Sequence, residues 1–397
     1  MAWLVFLVAL TIVVDGFDNQ LLGIVIPSMM DEWRTPRSAF APVVSLGTMG
    51  MMVGGAAAGA IGDHAGRKAA LLGSMVVFGV ATLAAAFADS VGVLAVVRFV
   101  AGIGLGGAIP NAASLAAEYV PVERRPIAVT LTIVCVPLGG VLAGLLAVPG
   151  LPALGWRGMF IAGGIVPFAL AAVLWRALPE SPRFLESTAA RPSTLGLFTH
   201  EFGRDTFAIW LAFCSCLLAV YLAFSWLPSI VAAAGLGTAA ASSSITAFNL
   251  GGVGGAIVCG ALIARFGSKT TMLSTAAAAI ASAVVLSVTP ISSQSSVVTI
   301  LTLLTITGAL INAVQVALYA LAAHVYPTVL RARGVGAAAS IGRSGAILSG
   351  YAGPWALESG GSAAFFALMA GAMSIAFVGI AAVRRHVPAT RVPHGSS

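Results

Sequence analysis

Charged side chains lie inside stretches of the sequence that are otherwise apolar. Asp15 and Asp18 fall in the first such stretch, Arg98 in the fourth and Arg343 in the eleventh. A charge at bilayer depth costs at least about 2.5–3.5 kcal/mol on insertion scales, so such residues usually face a cavity and have a function. Asp15 and Asp18 are three residues apart and share a helix face, where desolvation and mutual repulsion oppose ionisation. We predict that one of the two carboxylates exchanges a proton near neutral pH.

An ion pair is the structural alternative for these aspartates. Counted from the outer ends of their predicted helices, Asp18 lies about nine residues deep and Arg98 about seven, which is roughly 13 and 10 Å at the rise of an α-helix. Because the depths match, the pair can hold the first and fourth helices together. The two roles can also alternate between conformations.

Arg343 and several polar residues are candidates for binding an anionic ligand. A guanidinium group recognises a carboxylate through two hydrogen bonds, whereas a buried arginine tied to backbone carbonyls has only a structural role. Apolar pockets with a few polar groups are typical ligand sites, although each polar residue alone more often joins two helices. The predicted substrate-binding residues are Arg98, Asn111, Tyr221, Trp226, Asn312, Gln315, Tyr319 and Arg343.

The elements that position these residues are membrane-spanning helices. Of 397 residues, 59% are apolar and 8% are charged, and the mean hydropathy is +1.02. That composition excludes an ordinary soluble enzyme and a disordered chain. At about 20 residues per span, we predict an all-α integral membrane protein with twelve helices at 3–27, 40–62, 69–88, 91–117, 126–148, 157–178, 206–231, 242–264, 270–289, 297–324, 335–357 and 362–383.

The positive charges predict the orientation of the chain. Fifteen of the 20 basic residues fall on one side of the predicted helices, against Arg34, Arg37 and Arg157 on the other. The positive-inside rule makes the first side cytoplasmic, with both termini inside. The net charge of +7 therefore reflects topology in the cell (inner) membrane and does not indicate a nucleic-acid partner.

The chain divides into two similar halves. The segment around Gly66 resembles the segment around Gly267, 201 residues further on. Two parallel repeats of six helices are one arrangement of secondary transporters, with the substrate site between the halves. We predict an N-terminal bundle at 1–178, a central cytoplasmic loop at 179–205, a C-terminal bundle at 206–384 and a cytoplasmic tail at 385–397.

Charged residues at the predicted inner face could latch one conformation. Exposed ion pairs contribute about 0–1 kcal/mol, but a shift of one or two kcal/mol changes conformational populations about tenfold. The alternative is an ordinary solvated loop. The predicted gating residues are Asp63, Gly66, Arg67, Lys68, Glu118 and Arg124.

Other patterns in the sequence predict no cofactor, metal or catalytic site. Gly102, Gly104 and Gly107 fit a dinucleotide fingerprint but lie inside an apolar helix, where no phosphate-binding turn can form. The four cysteines all fall in predicted spans, so we expect neither disulfides nor a metal site. Met1 to Trp3 run straight into the first span, which argues against a cleaved signal peptide.

Several motifs resemble the major facilitator superfamily. They are Gly59-x-x-x-Asp63-x-x-Gly66-Arg67-Lys68, Arg98-x-x-x-Gly102-x-Gly104 and Pro179-Glu-Ser-Pro-Arg-Phe-Leu185. A narrower resemblance, to the aromatic acid:proton symporter family, rests on Asp15-Gly-Phe-Asp18, Gly106-Gly-Ala-Ile-Pro110-Asn111, Glu118-Tyr119, Tyr326-Pro327, Gly334-Val-Gly336 and Gly342-Arg343-Ser-Gly345-Ala-Ile347.

The resemblance implies two six-helix bundles that rock about a central cavity. It implies a symporter that imports a benzoate-type or other organic acid with protons and acts as a monomer. Asp15 and Asp18 match the family's aspartates required for transport, and Asp63, Arg98, Glu118 and Arg343 match its other charged positions. A sugar or metabolite symporter, a drug:proton antiporter and a membrane sensor are the alternatives. Ala264 and Ser268 depart from the second loop motif. Sugar porters carry that motif intact.

Overall fold

The computed structural model describes residues 2–121, 125–180 and 202–389. Side chains at 2, 59, 60, 63, 125–131, 328, 329 and 332 lie outside this description. The described residues form ten α-helices and one 3₁₀ helix, Arg37–Phe40. The α-helices are α1 (Ala2–Trp33), α2 (Ala41–Ala65), α3 (Arg67–Ala85), α4 (Val91–Glu118), α5 (Arg125–Ala177), α6 (Gly203–Ala233), α7 (Gly237–Phe266), α8 (Ser268–Val288), α9 (Val297–Val325) and α10 (Thr328–Ala382).

Two of these helices are long enough to cross a bilayer twice. α5 has 53 residues and α10 has 55, which is roughly 80 Å of helix against a hydrocarbon core of about 30 Å. The backbone of α5 leaves the helical region at Gly155, and that of α10 does so at Gly360 and Gly361. Each therefore turns back on itself, and the described helices make the twelve crossings that the sequence predicts.

The first helix extends further than predicted. α1 continues through Pro27 to Trp33, whereas the hydropathy pattern predicts an end at residue 27. Neighbouring helices make proline tolerable inside a membrane-spanning helix. α4 passes through Pro110 in the same way.

Matching glycines confirm the internal repeat. Gly66 separates α2 from α3 with φ 97°, and Gly267 separates α7 from α8 with φ 79°, a region that only glycine enters freely. At Gly54 and Gly255, also 201 residues apart, a Cβ would overlap a backbone carbonyl of α4 and of α9, respectively. Both halves therefore bring equivalent helices together through small residues.

The two halves meet near one face of the bundle. We define the outer face by residues 34–40, 86–90, 155, 234–236, 289–296 and 360–361, and the inner face by residues 66, 119–121, 178–180, 267, 326–327 and 383–389. Contacts between the halves join α1 to α6, α2 to α10 and α5 to α7. Arg37 donates to the Ser229 carbonyl at 3.0 Å, and the Ser45 hydroxyl donates to that of Ile347 at 2.8 Å. Both bonds lie toward the outer face.

The segment after α10 packs on the inner face of the C-terminal half. The Ser268 amide donates to the Val387 carbonyl at 2.9 Å, and the Val387 amide donates to the Ser268 hydroxyl at 2.8 Å. The Arg384 amide donates to the Asp205 carboxylate at 2.8 Å. Burial and the charge of Lys269 lower the pKa of His386, which keeps this imidazole neutral beside the start of α8.

Candidate functional site

Asp15 is a buried carboxylate with no hydrogen-bond partner among the described residues. Its side chain is 0% exposed, and neither oxygen has a donor within reach. α1 is held in place here because Gly16 lies directly against the Val136 carbonyl of α5. The charges that act on Asp15 are those of Arg343, which attracts, and Asp18, which repels. A buried, unpaired carboxylate is costly to ionise, so this position favours a carboxyl group that carries its proton.

Asp18 has a different environment, although it lies only three residues away. One carboxylate oxygen accepts a hydrogen bond from the Thr82 hydroxyl at 2.7 Å, and the other accepts from Arg98 Nη1 at 3.1 Å. The side chains of Arg98 and Asp18 are 4% and 0% exposed. Asp18 therefore forms the ion pair between the first and fourth spans. Asp15 is the carboxylate that has no ion-pair partner among the described residues.

Arg343 is a cation at the interface between the halves. Its Nη1 donates to the Met51 carbonyl of α2. Arg343 is therefore bound to a backbone carbonyl, as the structural alternative predicts. No carboxylate of the described residues forms an ion pair with it, whereas its positive charge acts on Asp15, Tyr221 and Tyr319. Its charge is therefore available to an anion that enters between the halves.

A small cavity lies beside these groups, between the two halves. Its volume of about 20 Å³ holds about one water molecule, whereas pockets for small-molecule ligands usually measure about 300–1,000 Å³. The site is therefore closed in this conformation and must widen to admit a ligand. The cavity is lined by Asn19, Leu22, Val44, Gly47, Thr48, Met51, Arg98, Gly102, Leu105, Tyr221 and Ser225.

Of the eight predicted substrate-binding residues, Arg98 and Tyr221 line this cavity. Tyr319 and Gln315 are partly exposed on α9, and the Tyr319 ring packs edge-on against Phe213 at 5.0 Å. These two remain predictions.

Apart from Arg343, which is described above, the other three predicted substrate-binding residues make bonds between or along helices. Trp226 is fully buried and donates through Nε1 to the Ser349 carbonyl at 3.0 Å, which ties α6 to α10. Asn111 donates to the Gly107 and Ala58 carbonyls. Asn312 donates to the Gly308 carbonyl of its own helix. None of these three lines the cavity. Trp226 and Asn111 each join two helices, whereas the bond from Asn312 stays within α9.

The inner face of the N-terminal half holds the predicted gating residues. Arg67 forms an ion pair with Glu118 at 3.2 Å, which connects α3 to the end of α4. The Lys68 amide donates to Glu180 at 3.0 Å, and the Lys68 ammonium donates to the Trp175 carbonyl at 2.8 Å. The Asp63 side chain and Arg124 lie outside the described residues.

Glu180 is a gating candidate that the motif analysis passed over. Its carboxylate lies next to Gly66 and accepts from the first turn of α3, where a negative charge stabilises a helix N-terminus. Nearby, burial together with Glu180 and Glu118 raises the pKa of Tyr119 to about 12. Its hydroxyl therefore remains a donor to the Pro179 carbonyl, at 2.6 Å.

Two amides also pair across the halves, a contact that the sequence did not predict. Asn249 donates to the Gln20 carbonyl oxygen at 2.6 Å, and Gln20 donates back at 3.3 Å. Both side chains are fully buried. Their signal in the sequence is the run Asp18-Asn-Gln20 inside an apolar span. Consecutive helical residues point in different directions, and here Asp18 faces Arg98 whereas Gln20 faces Asn249.

Removing this amide pair should favour opening at the outer face. Each of the two hydrogen bonds contributes about 1 kcal/mol, so Gln20→Ala with Asn249→Ala should raise the population of the open state about thirtyfold. In a background without native cysteines, Val44→Cys on the cavity wall should react faster with a membrane-impermeant maleimide added outside. Asn111→Ala with Asn312→Ala removes two amides that bond within the halves and should leave the rate unchanged. If the reaction rate rises equally in both double variants, the effect reflects a general loosening of helix packing and not the loss of the bond between the halves.

Known proteins similar to this chain match it along most of its length. The family model described as Major Facilitator Superfamily matches residues 8–349 and 240–396. The gallate transporter of Pseudomonas putida is 34% identical, and the match covers 90% of this chain and 86% of that protein. The 4-hydroxybenzoate transporter PcaK of the same organism is 33% identical, with 90% and 87% covered.

A solved structure shares the fold. The inward-open xylose transporter XylE from E. coli matches with a TM-score of 0.80 at 15% identity, and the match covers 96% of both chains. At that identity the likeness concerns the arrangement of helices alone.

Proposed function

Since this chain belongs to the Major Facilitator Superfamily, and within it to the aromatic acid:proton symporter family, we propose that it imports an aromatic carboxylate together with protons. The observation that carries the proposal is the pair of unlike aspartates at the interface. Asp18 is neutralised by Arg98 at 3.1 Å, and Asp15 is buried without a partner. One acidic group therefore remains to carry a proton across the membrane.

In the proposed cycle, Asp15 and Arg343 couple the two ligands. With the outer face open, water reaches Asp15 and the substrate carboxylate binds to Arg343, whose charge acts on Asp15. The substrate neutralises Arg343 and so withdraws the attraction that favours ionised Asp15. Asp15 then takes up a proton, and the site closes with both charges neutralised. Closure of a neutral site avoids the cost of burying an uncompensated charge.

The inner face supplies the exit from the site. The described hydrogen bonds between the halves lie toward the outer face or at mid-depth, which supports a conformation that is closed outside. We place the outer face in the periplasm or external medium and both termini in the cytoplasm, because Arg67, Lys68, Arg384 and Arg385 lie at the inner face. We propose that the transporter acts as a monomer, because the interface that must open lies within one chain and the cycle requires no second copy.

Uptake into proteoliposomes tests this function. With an acidic exterior, labelled 4-hydroxybenzoate or gallate should accumulate above the level reached without a pH gradient, and collapse of the gradient with a protonophore should abolish the difference. Protein-free liposomes must be subtracted because neutral aromatic acids cross bilayers unaided. Xylose serves as the control for a sugar symporter. Accumulation of xylose, or uptake of aromatic acids that is indifferent to pH, would contradict the proposal.

A further inference from the structure

The phenol of Tyr221 is poorly satisfied for a group in a closed site. Its hydroxyl lies 3.4 Å from the donor Asn19 Nδ2 and 3.8 Å from the Met51 thioether that accepts from it. Hydrogen bonds from nitrogen to oxygen usually measure about 2.7–3.2 Å, and a thioether is a weak acceptor. A strong hydrogen-bonding group on the cavity wall therefore lacks a strong partner among the described residues.

The surroundings of this phenol combine polar and apolar surfaces. Thr48 and Ser225 add two hydroxyl groups to the cavity, and Arg98 Nε is a buried donor without a partner among the described residues. Leu22, Val44 and Leu105 supply the apolar remainder of the wall. Such a lining fits the edge of an aromatic ring that carries a polar substituent.

The rise of α1 from Asp15 to Asn19 suits one small aromatic acid. Arg343 contacts α2 at Met51 and Gly55, and Asn19 follows Asp15 by four residues, which is about one helical turn or 6 Å. A carboxylate held at the level of Asp15 and Arg343 would direct the far side of its ring toward Asn19 and Tyr221. The length of a benzoate matches one turn of helix.

We propose that Tyr221 and Asn19 form a subsite for a hydroxyl group on the substrate ring, so that the protein selects hydroxylated benzoates over benzoate itself. The inference rests on the proposed transport of aromatic carboxylates and adds the feature that discriminates among them. A site that hydrogen-bonds a substrate hydroxyl rejects the analogue without it, because polar groups of the site would be left unpaired. In the structure Tyr221 has only the long contact from Asn19 and the weak Met51 acceptor.

The test compares 4-hydroxybenzoate with benzoate in wild type, Tyr221→Phe and Asn19→Ala. Unlabelled ligands compete for counterflow of labelled 4-hydroxybenzoate, and the readout is the ratio of the two inhibition constants. Wild type should prefer 4-hydroxybenzoate by about tenfold or more, and Tyr221→Phe should reduce that preference about tenfold, with benzoate affinity changed less than about twofold. Asn19→Ala should act in the same direction. Tyr351→Phe, which removes a phenol that is 56% exposed on the lipid-facing surface, is the matched control.

The outcomes separate this inference from the proposed function. If neither acid competes with or thermally stabilises the wild-type protein, the transport proposal fails and the subsite fails with it. If both acids bind equally, or if Tyr221→Phe leaves the ratio unchanged, the subsite alone is wrong. Should a variant lose counterflow, the melting temperatures of the purified protein with each acid give the same ratio.

Discussion

Asp15→Asn should abolish accumulation driven by a pH gradient while leaving substrate exchange intact. At one proton per anion and a pH difference of about two units, wild type can concentrate its substrate about 100-fold. Asparagine is nearly isosteric with a protonated aspartic acid but cannot take up and release a proton. The variant should therefore bring the internal concentration only to the external level, whereas counterflow, which requires no net proton movement, continues.

The control for this result is Asp31→Asn. Asp31 is an exposed carboxylate near the end of α1 at the outer face, so its loss should leave accumulation within about twofold of wild type. If Asp15→Asn accumulates substrate to the wild-type level, Asp15 is not the residue that carries the proton. Loss of counterflow as well as accumulation would show that Asp15 is needed for binding or movement and not specifically for coupling.

Arg98→Ala should cause the largest loss of stability among single substitutions at the site. It would leave Asp18, which is fully buried, with Thr82 as its described side-chain donor. Removing one partner of a buried ion pair typically costs about 3–5 kcal/mol. We expect a large drop in the melting temperature of the purified protein and reduced yield in the membrane.

Two further variants distinguish charge from packing. Thr82→Val removes one hydrogen bond to Asp18 and should cost only about 1 kcal/mol. Asp18→Leu combined with Arg98→Met removes both charges and keeps the volume, so stability should recover toward wild type. If Arg98→Ala proves as stable as wild type, the ion pair does not hold α1 to α4.

The twelve crossings could be predicted because hydrocarbon thickness dictates the length of apolar stretches. The ion pair could be anticipated because Asp18 and Arg98 have matching depths. Depth alone, however, does not say which of two aspartates three residues apart faces the arginine. That depends on the rotation of α1 about its axis, which is set by close packing such as that of Gly16 on α5.

The roles of the polar residues could also be predicted only in part from the sequence. Tyr221 and Trp226 look equivalent in the sequence, since both are amphipathic residues of one apolar span. In the structure Tyr221 lines the cavity, and the Trp226 indole is bonded to Ser349 inside the C-terminal half. An amphipathic residue that faces a ligand and one that joins two helices have the same composition, so only the packing of α6 against α10 distinguishes them.

Proton flux measured together with substrate flux tests the central claim most directly. Proteoliposomes that contain a trapped pH indicator should acidify when 4-hydroxybenzoate is added outside to wild type, beyond the signal of protein-free liposomes. Asp15→Asn should give no protein-dependent acidification while its counterflow of labelled substrate persists. Acidification by Asp15→Asn at the wild-type rate would contradict the assignment of the proton to Asp15.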